Sequence, residues 1–362
     1  MSSWCKHRFH QKKWYREVAF VLLATIMLSA VGAVGSSAVQ TEPATLLILG
    51  DSIATGHSLE DYNSQGNPKS RYSWATLLAE SYAAKQINLA VDGDTTANLL
   101  EVVQAPAKRN TIAQADVICI SIGGNNFLQL MGQLFAAGTI FTPDAVDSAY
   151  AEVQAAAQQD LDDIFAKLHS INPEAKILVQ TLFAPYRYFT VEIEPGKTIA
   201  EWMGVYVDRY NAMLKERAEA VGVTVVDVGE TFKTRGQESW LYASMSDGTL
   251  NEAIIALAQA NPHPTKEGHR AIFETYCETA DALLTQALAS KPVSSQTEEP
   301  IETEEPTVTE EVSESEAETD EPPTDTNRPR GKVIAIAAGI GVLLAATVGA
   351  CAVVLIKKNK KK

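Results

Sequence analysis

The sequence predicts an α/β protein: a parallel sheet of about five strands with helices on both faces, a three-layer α/β/α sandwich. Two observations predict it. Short aliphatic runs rich in β-branched residues recur along residues 45–288, each closed by a polar turn bearing glycine or proline. Helical patterns separate them, and that alternation gives a parallel sheet buried on both sides.

The runs are Thr45–Leu49, Ile87–Val91, Val117–Ile122, Ile177–Leu182 and Val223–Val228. The clearest helix starts at Thr142-Pro143, a cap followed by proline at the first helical position. From there Val146, Tyr150, Val153, Ala157, Leu161, Ile164 and Leu168 recur at steps of three and four, an apolar stripe facing one core. Trp202, Tyr206, Tyr210 and Met213 mark a second helix, and Thr265–Ala289 forms the last. In such a sheet, chemistry belongs at the carboxyl ends of the strands, beside the switch point in strand order.

The rest of the chain is partitioned by charge. The net charge of −15 divides into +4 over residues 1–38, −14 over 39–292, −11 over 293–331 and +6 over 332–362. Lys6, Arg8, Lys12, Lys13 and Arg16 precede an apolar run from Val18 to Val34 and the small residues Ser36-Ser37-Ala38, the order of a signal peptide over 1–38. An uncleaved signal anchor is the alternative. Residues 293–331 are rich in Glu, Thr, Pro and Ser, with too few aliphatics to offset their ordering entropy, and read as an acidic stalk. Val333–Ile356 carries no charge and spans about 36 Å as a helix, enough to cross a bilayer. The predicted membrane helix covers 332–356, and the lysine tail of 357–362 marks the cytoplasmic side. Residues 39–292 are then expected on the extracellular face, held by a single-pass anchor. The acidic balance disfavours nucleic acid as a partner. Of four cysteines only Cys119 and Cys277 fall in this domain, read as two buried thiols or one disulfide, and no metal-binding spacing is present. Scarce cysteines and the lack of any Asn-x-Ser/Thr sequon point to a Gram-positive bacterial source.

Three strand ends carry candidate chemistry. Gly50-Asp51-Ser52 puts a hydroxyl where a nucleophile belongs. The next two ends are Asp92-Gly93-Asp94-Thr95-Thr96 and Gly123-Gly124-Asn125-Asn126. In a sheet of order 2-1-3 these turns flank the first. Ser52 N–H, Gly93 N–H and the Asn125 amide would then converge as an oxyanion hole. Each taken singly is an ordinary tight turn. A base is needed, and His263, rigidly placed between Pro262 and Pro264 before the last helix, suits it. His57 is placed to line the cleft, His169 reads as a surface residue and His269 as structural.

These four blocks, in this order, resemble an SGNH hydrolase of the GDSL lipase/esterase family over residues 44–288. They are Gly50-Asp51-Ser52, Asn88-Leu89-Ala90-Val91-Asp92-Gly93, Gly123-Gly124-Asn125-Asn126 and Pro262-His263-Pro264-Thr265. The resemblance implies a flavodoxin-like fold, Ser52 as nucleophile, His263 as base, Gly93 and Asn125 as oxyanion donors, and no cofactor. Two positions depart from the family pattern. Asn126 replaces an Asp. Upstream of His263 the family's Asp is missing, with Ala260 and Asn261 there instead. In serine proteases the Asp-to-Asn change costs roughly 10⁴-fold in kcat, yet Asn orients the imidazole in papain-like sites. The expectation is a Ser52–His263 dyad helped by Asn261 or a backbone carbonyl, with Asp247 a remoter source of charge.

Phe127–Phe135, with Ala136, Ala137, Ile140 and Phe141, reads either as an apolar rim for acyl chains or as a core helix. Tyr186 and Arg187 are further candidates to line the cleft. The expected activity is hydrolysis of small-molecule or lipid acyl esters. The alternatives are a carbohydrate O-deacetylase and a hydrolase-fold binding module silenced at Asn261.

Overall fold

A computed structural model describes residues 41–140, 142–289 and 291–292. The expected signal peptide, stalk, membrane helix and lysine tail lie outside these residues. Among the described residues no helix is long and apolar enough to cross a membrane. Thr41–Glu42 and Lys291–Pro292 form a short antiparallel pairing of their own.

Within residues 43–290 the five expected runs form one parallel sheet. Its strands are β1 (Thr45–Gly50), β2 (Lys85–Asn88), β3 (Val117–Ser121), β4 (Lys176–Gln180) and β5 (Thr224–Val226), in the order β2-β1-β3-β4-β5. Leu47 on β1 pairs with Ile87 on β2 and with Ile118 on β3, so the first three strand ends finish side by side. This is the flavodoxin-like order, with its switch point at β1. The second strand starts two residues earlier than the aliphatic run and stops at Asn88. There the Asn88 side chain turns to the Ala54 carbonyl and the Ala90 N–H, and Val91 is left 48% exposed.

The helices are α1 (Ser52–Thr55), α2 (Trp74–Ser81), α3 (Thr96–Gln104), α4 (Arg109–Ala113), α5 (Gly124–Ala136), α6 (Pro143–Ile171), α7 (Ile199–Ala220), α8 (Val228–Arg235), α9 (Leu250–Gln259) and α10 (Lys266–Ala287). The two-residue period of the strands sorts the core into two layers. Leu46, Ile48, Val117, Cys119 and Leu178 face one side, packed with Trp74 and Leu78 of α2, Phe232 of α8, and Ile272 and Tyr276 of α10. Leu47, Leu49, Ile118, Ile120 and Val179 face the other, packed with Leu99 of α3, Leu161 and Ile164 of α6, and Met213 and Leu214 of α7. Trp74 stacks on Tyr276 at 4.7 Å between ring centroids, joining α2 to α10. Cys119 and Cys277 are free thiols, the first buried and the second half-buried.

A third apolar cluster settles the Phe127–Phe135 stretch as a core helix. Phe127, Leu130, Met131 and Leu134 of α5 are buried against Val146 and Tyr150 of α6 and Trp202 and Tyr206 of α7. The rim reading fails because Phe127, Leu130, Met131 and Leu134 repeat at helical spacing and turn inward, with Leu128 and Phe135 half-buried at their margin. Tyr186 is buried in the same cluster and does not line a cleft.

Among the described glycines Gly50 leaves the least room for a side chain. At φ +132°, a Cβ there would lie 1.9 Å from the Ser121 carbonyl oxygen. Gly138, at φ +70°, has open space around it. Gly50→Ala should therefore cost more than ~3 kcal/mol by adding a backbone clash to the left-handed strain, and Gly138→Ala only about 1 kcal/mol. Chemical denaturation of the two variants checks this; equal losses would contradict it.

Candidate active site

Ser52 opens α1 immediately after β1. Asp51 is the N-cap: its carboxylate accepts from the Ile53 N–H at 3.0 Å, while its own N–H donates to Ser121 O at 3.0 Å. Asp51 is buried, and burial pushes its carboxyl up to about 7 against the Ile53 hydrogen bond, with Asp94 and Asp92 adding repulsion. Ser52 is 9% exposed.

The neighbouring turns are tied to one another. Gly93 adopts φ +87° with open space where a Cβ would stand. Asn125 donates through Nδ2 to Asp94 O at 2.9 Å, linking the asparagine turn to the glycine turn and leaving its second amide hydrogen to other acceptors. Asn126, where the family pattern has Asp, ties the asparagine turn to the start of α3. Its Oδ1 accepts from the Thr96 N–H (3.1 Å), its Nδ2 donates to Thr96 Oγ1 (2.9 Å), and that hydroxyl donates to Asp160 (2.6 Å). Gly123, at φ +112°, leaves room for the Tyr210 hydroxyl, which a Cβ would meet at 2.1 Å.

His263 is set by the segment before α10. Leu241 bridges to Pro264, the Thr265 N–H donates to Trp240 O at 2.9 Å, and Gly268 lets Trp240 O come within 2.3 Å of where a Cβ would be. Asn261 Oδ1 accepts from the His263 backbone N–H at 3.0 Å and lies 2.6 Å from His263 Nδ1. A carbonyl oxygen only accepts, so Nδ1 carries the hydrogen and Nε2 keeps its lone pair. Burial holds the imidazole down at about 4, helped by repulsion from His57 and opposed by Asp92. Asp247 is exposed and accepts from Ser246 Oγ at 3.3 Å, while Nδ1 already faces Asn261. His269 is fully buried, with Nδ1 accepting from the Trp74 N–H at 3.4 Å, a structural role as expected. His169 is half-buried rather than a plain surface residue.

A chain of contacts joins these pieces. The His57 N–H donates to Ser52 O at 3.1 Å, and the His57 ring lies 4.8 Å from the His263 ring, centroid to centroid. His57 Nδ1 donates to Asp92 Oδ2 at 2.9 Å, beside Gly93. Ser58, at φ +71°, places Oγ 3.5 Å from Asn261 Oδ1, and its carbonyl accepts from Tyr242 OH at 3.1 Å. Sequence reasoning put His57 in the cleft but did not foresee its pairing with Asp92. Nor did it foresee Tyr242, which is 45% exposed beside Ser58. These pairings are too distant in sequence for any local pattern to reveal. Arg187 lines a separate cavity of about 600 Å³ with Leu182, Asp208, Phe232 and Lys233, whose walls include none of Ser52, Gly93, Asn125 or His263.

Among the described residues no cluster of His, Cys, Asp and Glu is arranged to hold a metal ion.

Comparison with known proteins places the chain in a family. Residues 48–271 match the GDSL-like Lipase/Acylhydrolase family. The uncharacterized protein YpmR of Bacillus subtilis is 21% identical over 152 residues, 42% of this chain. The match spans about half (54%) of that relative's length. A phospholipase A1 from Streptomyces albidoflavus superposes with a TM-score of 0.51 at 19% identity, covering 66% of this chain and all of that one. An extracellular lipase from Streptomyces rimosus gives a TM-score of 0.47 at 20% identity, covering 65% of this chain and 99% of its own. The family match extends over more than half of the sequence and spans all four blocks around the switch point: the chain belongs to the GDSL-like lipase/acylhydrolase family.

Proposed function

We propose that the protein hydrolyses carboxylic esters through a covalent acyl intermediate on Ser52. The observation that carries this reading is His263, half-buried against the His57 ring next to the serine turn, with its Nδ1–H held on Asn261 and its Nε2 left to accept a proton. Ser52 Oγ attacks the ester carbonyl, its proton passes to His263 Nε2, and the carbonyl electrons move onto oxygen. Ser52 N–H, Gly93 N–H and the second Asn125 amide hydrogen receive that oxyanion. His263 then returns the proton to the departing alkoxide, and water repeats the sequence in reverse to release the acid. Asn261 keeps the imidazole in the useful tautomer but supplies no charge.

The substrates proposed are neutral acyl esters. Val91 and Tyr242 are large apolar side chains left exposed beside Asp92 and Ser58, an apolar margin at the turn that carries Gly93 and at the loop that carries His263. The proposal extends to location: the uncharged run 333–356 and its lysine tail support a domain tethered at the outer face of a membrane.

An ester panel of graded acyl length, hydrolysed by the wild type and by Ser52→Ala, tests the activity. Wild type should turn over acyl chains longer than acetate, and Ser52→Ala should lose at least about 10³-fold in kcat. Strict acetate preference would favour deacetylation of a carbohydrate instead, and hydrolysis independent of Ser52 would contradict the mechanism. Asn261→Ala should lower kcat about 10- to 100-fold with little change in KM, because it frees the imidazole to turn.

The pH profile follows from the neutral base. His263 is held down at about 4, so its Nε2 stays unprotonated above that pH and complete loss of activity should come only as pH falls through that region. Substantial Ser52-dependent activity at pH 5.5 is expected; its disappearance by pH 6 would contradict a base kept neutral by burial.

A further inference from the structure

The established family pattern leaves a gap here. When Ser52 attacks, His263 becomes an imidazolium in a largely desolvated site, and the groups on its Nδ1, the Asn261 amide and the Ser58 hydroxyl, carry no charge. Something must favour that positive charge if turnover is to be efficient. A carboxylate does act on His263 from a different element: Asp92, which holds the His57 ring that packs against it.

Asp92 is unusually well held for a side chain in a turn. Its Oδ1 accepts from Thr55 Oγ1 at 2.6 Å, and its Oδ2 accepts from His57 Nδ1 at 2.9 Å and from Tyr62 OH. Burial alone pushes the Asp92 carboxyl up, but the hydrogen bonds from His57, Thr55 and Tyr62 prevail and hold it at about 2, so it is ionised across the working range. The His57 ring is itself clamped. Tyr62 packs edge-on at 4.9 Å and His263 lies tilted by 42° at 4.8 Å.

We propose that Asp92 takes the place of the missing carboxylate: acting across the His57 ring that it holds against His263, its charge stabilises the imidazolium formed when Ser52 attacks. No proton moves to Asp92. The proton of Ser52 Oγ ends on His263 Nε2, and Asp92 and His57 are positioning residues. The proposal rests on the ester-hydrolase reading of this same site.

The state of His57 then tunes the effect. Hydrogen bonding to Asp92 raises its affinity for a proton above the ordinary histidine value. Protonated, it cancels Asp92's charge and repels His263; neutral, it leaves Asp92's charge to act. Other titratable groups surround the pair. Asp51 and Asp94 lie beside Asp92, with Lys69 between the acidic groups and the Ala90 carbonyl. Tyr62 and Tyr242 flank the loop, and His269 lies behind His263. Burial pushes both Asp51 and Asp94 up, to about 7 and about 6, so both gain protons as pH falls and neither replaces Asp92 as a fixed negative charge.

The test uses the full-length chain, a 4-nitrophenyl ester and histidine NMR. Asp92→Asn keeps the shape of the turn and removes the charge. It should lower kcat about 10- to 100-fold at unchanged KM, and Asn261→Asp in that background should restore most of the loss. His57→Gln retains Asp92's charge, so it should lose far less. It should also erase a partial fall in kcat that wild type shows as His57 gains its proton. The titration of the His263 Cε1–H signal should shift to lower pH in Asp92→Asn. A kcat within twofold of wild type in Asp92→Asn, or a loss that Asn261→Asp fails to restore, would overturn the proposal. If wild type hydrolyses no ester, the ester-hydrolase reading falls, and the NMR titration still decides the coupling: a His263 midpoint unmoved by Asp92→Asn overturns it.

Discussion

The site depends on one close approach of backbone to backbone. β1 leaves the sheet at Gly50 with φ +132°, where any side chain would strike the Ser121 carbonyl, and that carbonyl accepts the Asp51 N–H. The contact brings Ser52 onto the first turn of α1 while its strand is still flush with β3. Everything the serine needs follows from that position. The turn after β3 carries Asn125, and the turn after β2 carries Gly93, because β1 is the switch point with one neighbour on each side. A wider exit from the sheet would leave the same residues on the same strands and separate them by several ångströms.

Burial then determines the electrostatics. The site holds two imidazoles in contact at a tilt, and they are tuned in opposite directions by their surroundings. His263 is half-buried against a neutral amide, and desolvation makes it resist a proton; His57 is half-exposed on a carboxylate and attracts one. Divergent environments of this kind assign different tasks to like groups. Asp51 adds a further element. It is buried in the serine turn, where desolvation pushes its carboxyl up to about 7 while it caps α1 at the Ile53 N–H.

Much of this was legible in the sequence, for reasons that can be named. Strands buried on both faces must be aliphatic, so the central ones could be read from runs such as Val117–Ile122, whereas the half-buried edge strand β2 starts at Lys85, ahead of its aliphatic run. The stripe from Val146 to Leu168 has the period of a helix, and the helix extends from Pro143 to Ile171. Glycine, proline and asparagine at strand ends betray turns, which brought Ser52, Gly93, Asn125 and His263 together on paper. Side-chain facing was harder. Phe127–Phe135 read equally well as rim or core because composition does not say which layer a helix meets; the inward faces of α6 and α7 decided it. Long-range polar pairing was hardest. Asp92 and His57 are 35 residues apart and meet only because β1 and β2 are neighbours. Asn261 was legible as a departure from the family pattern, but its 2.6 Å approach to Nδ1 depends on the loop geometry set by Leu241 and Pro264.

The central claim is that Ser52 is an activated nucleophile. Peptide-level mass spectrometry of the full-length chain after exposure to a fluorophosphonate tests it most directly. The account predicts one phosphonyl adduct per chain, on the peptide containing Ser52, formed more slowly when His263 is replaced by Ala. An unlabelled Ser52, or an adduct on another hydroxyl with Ser52 intact, would contradict it.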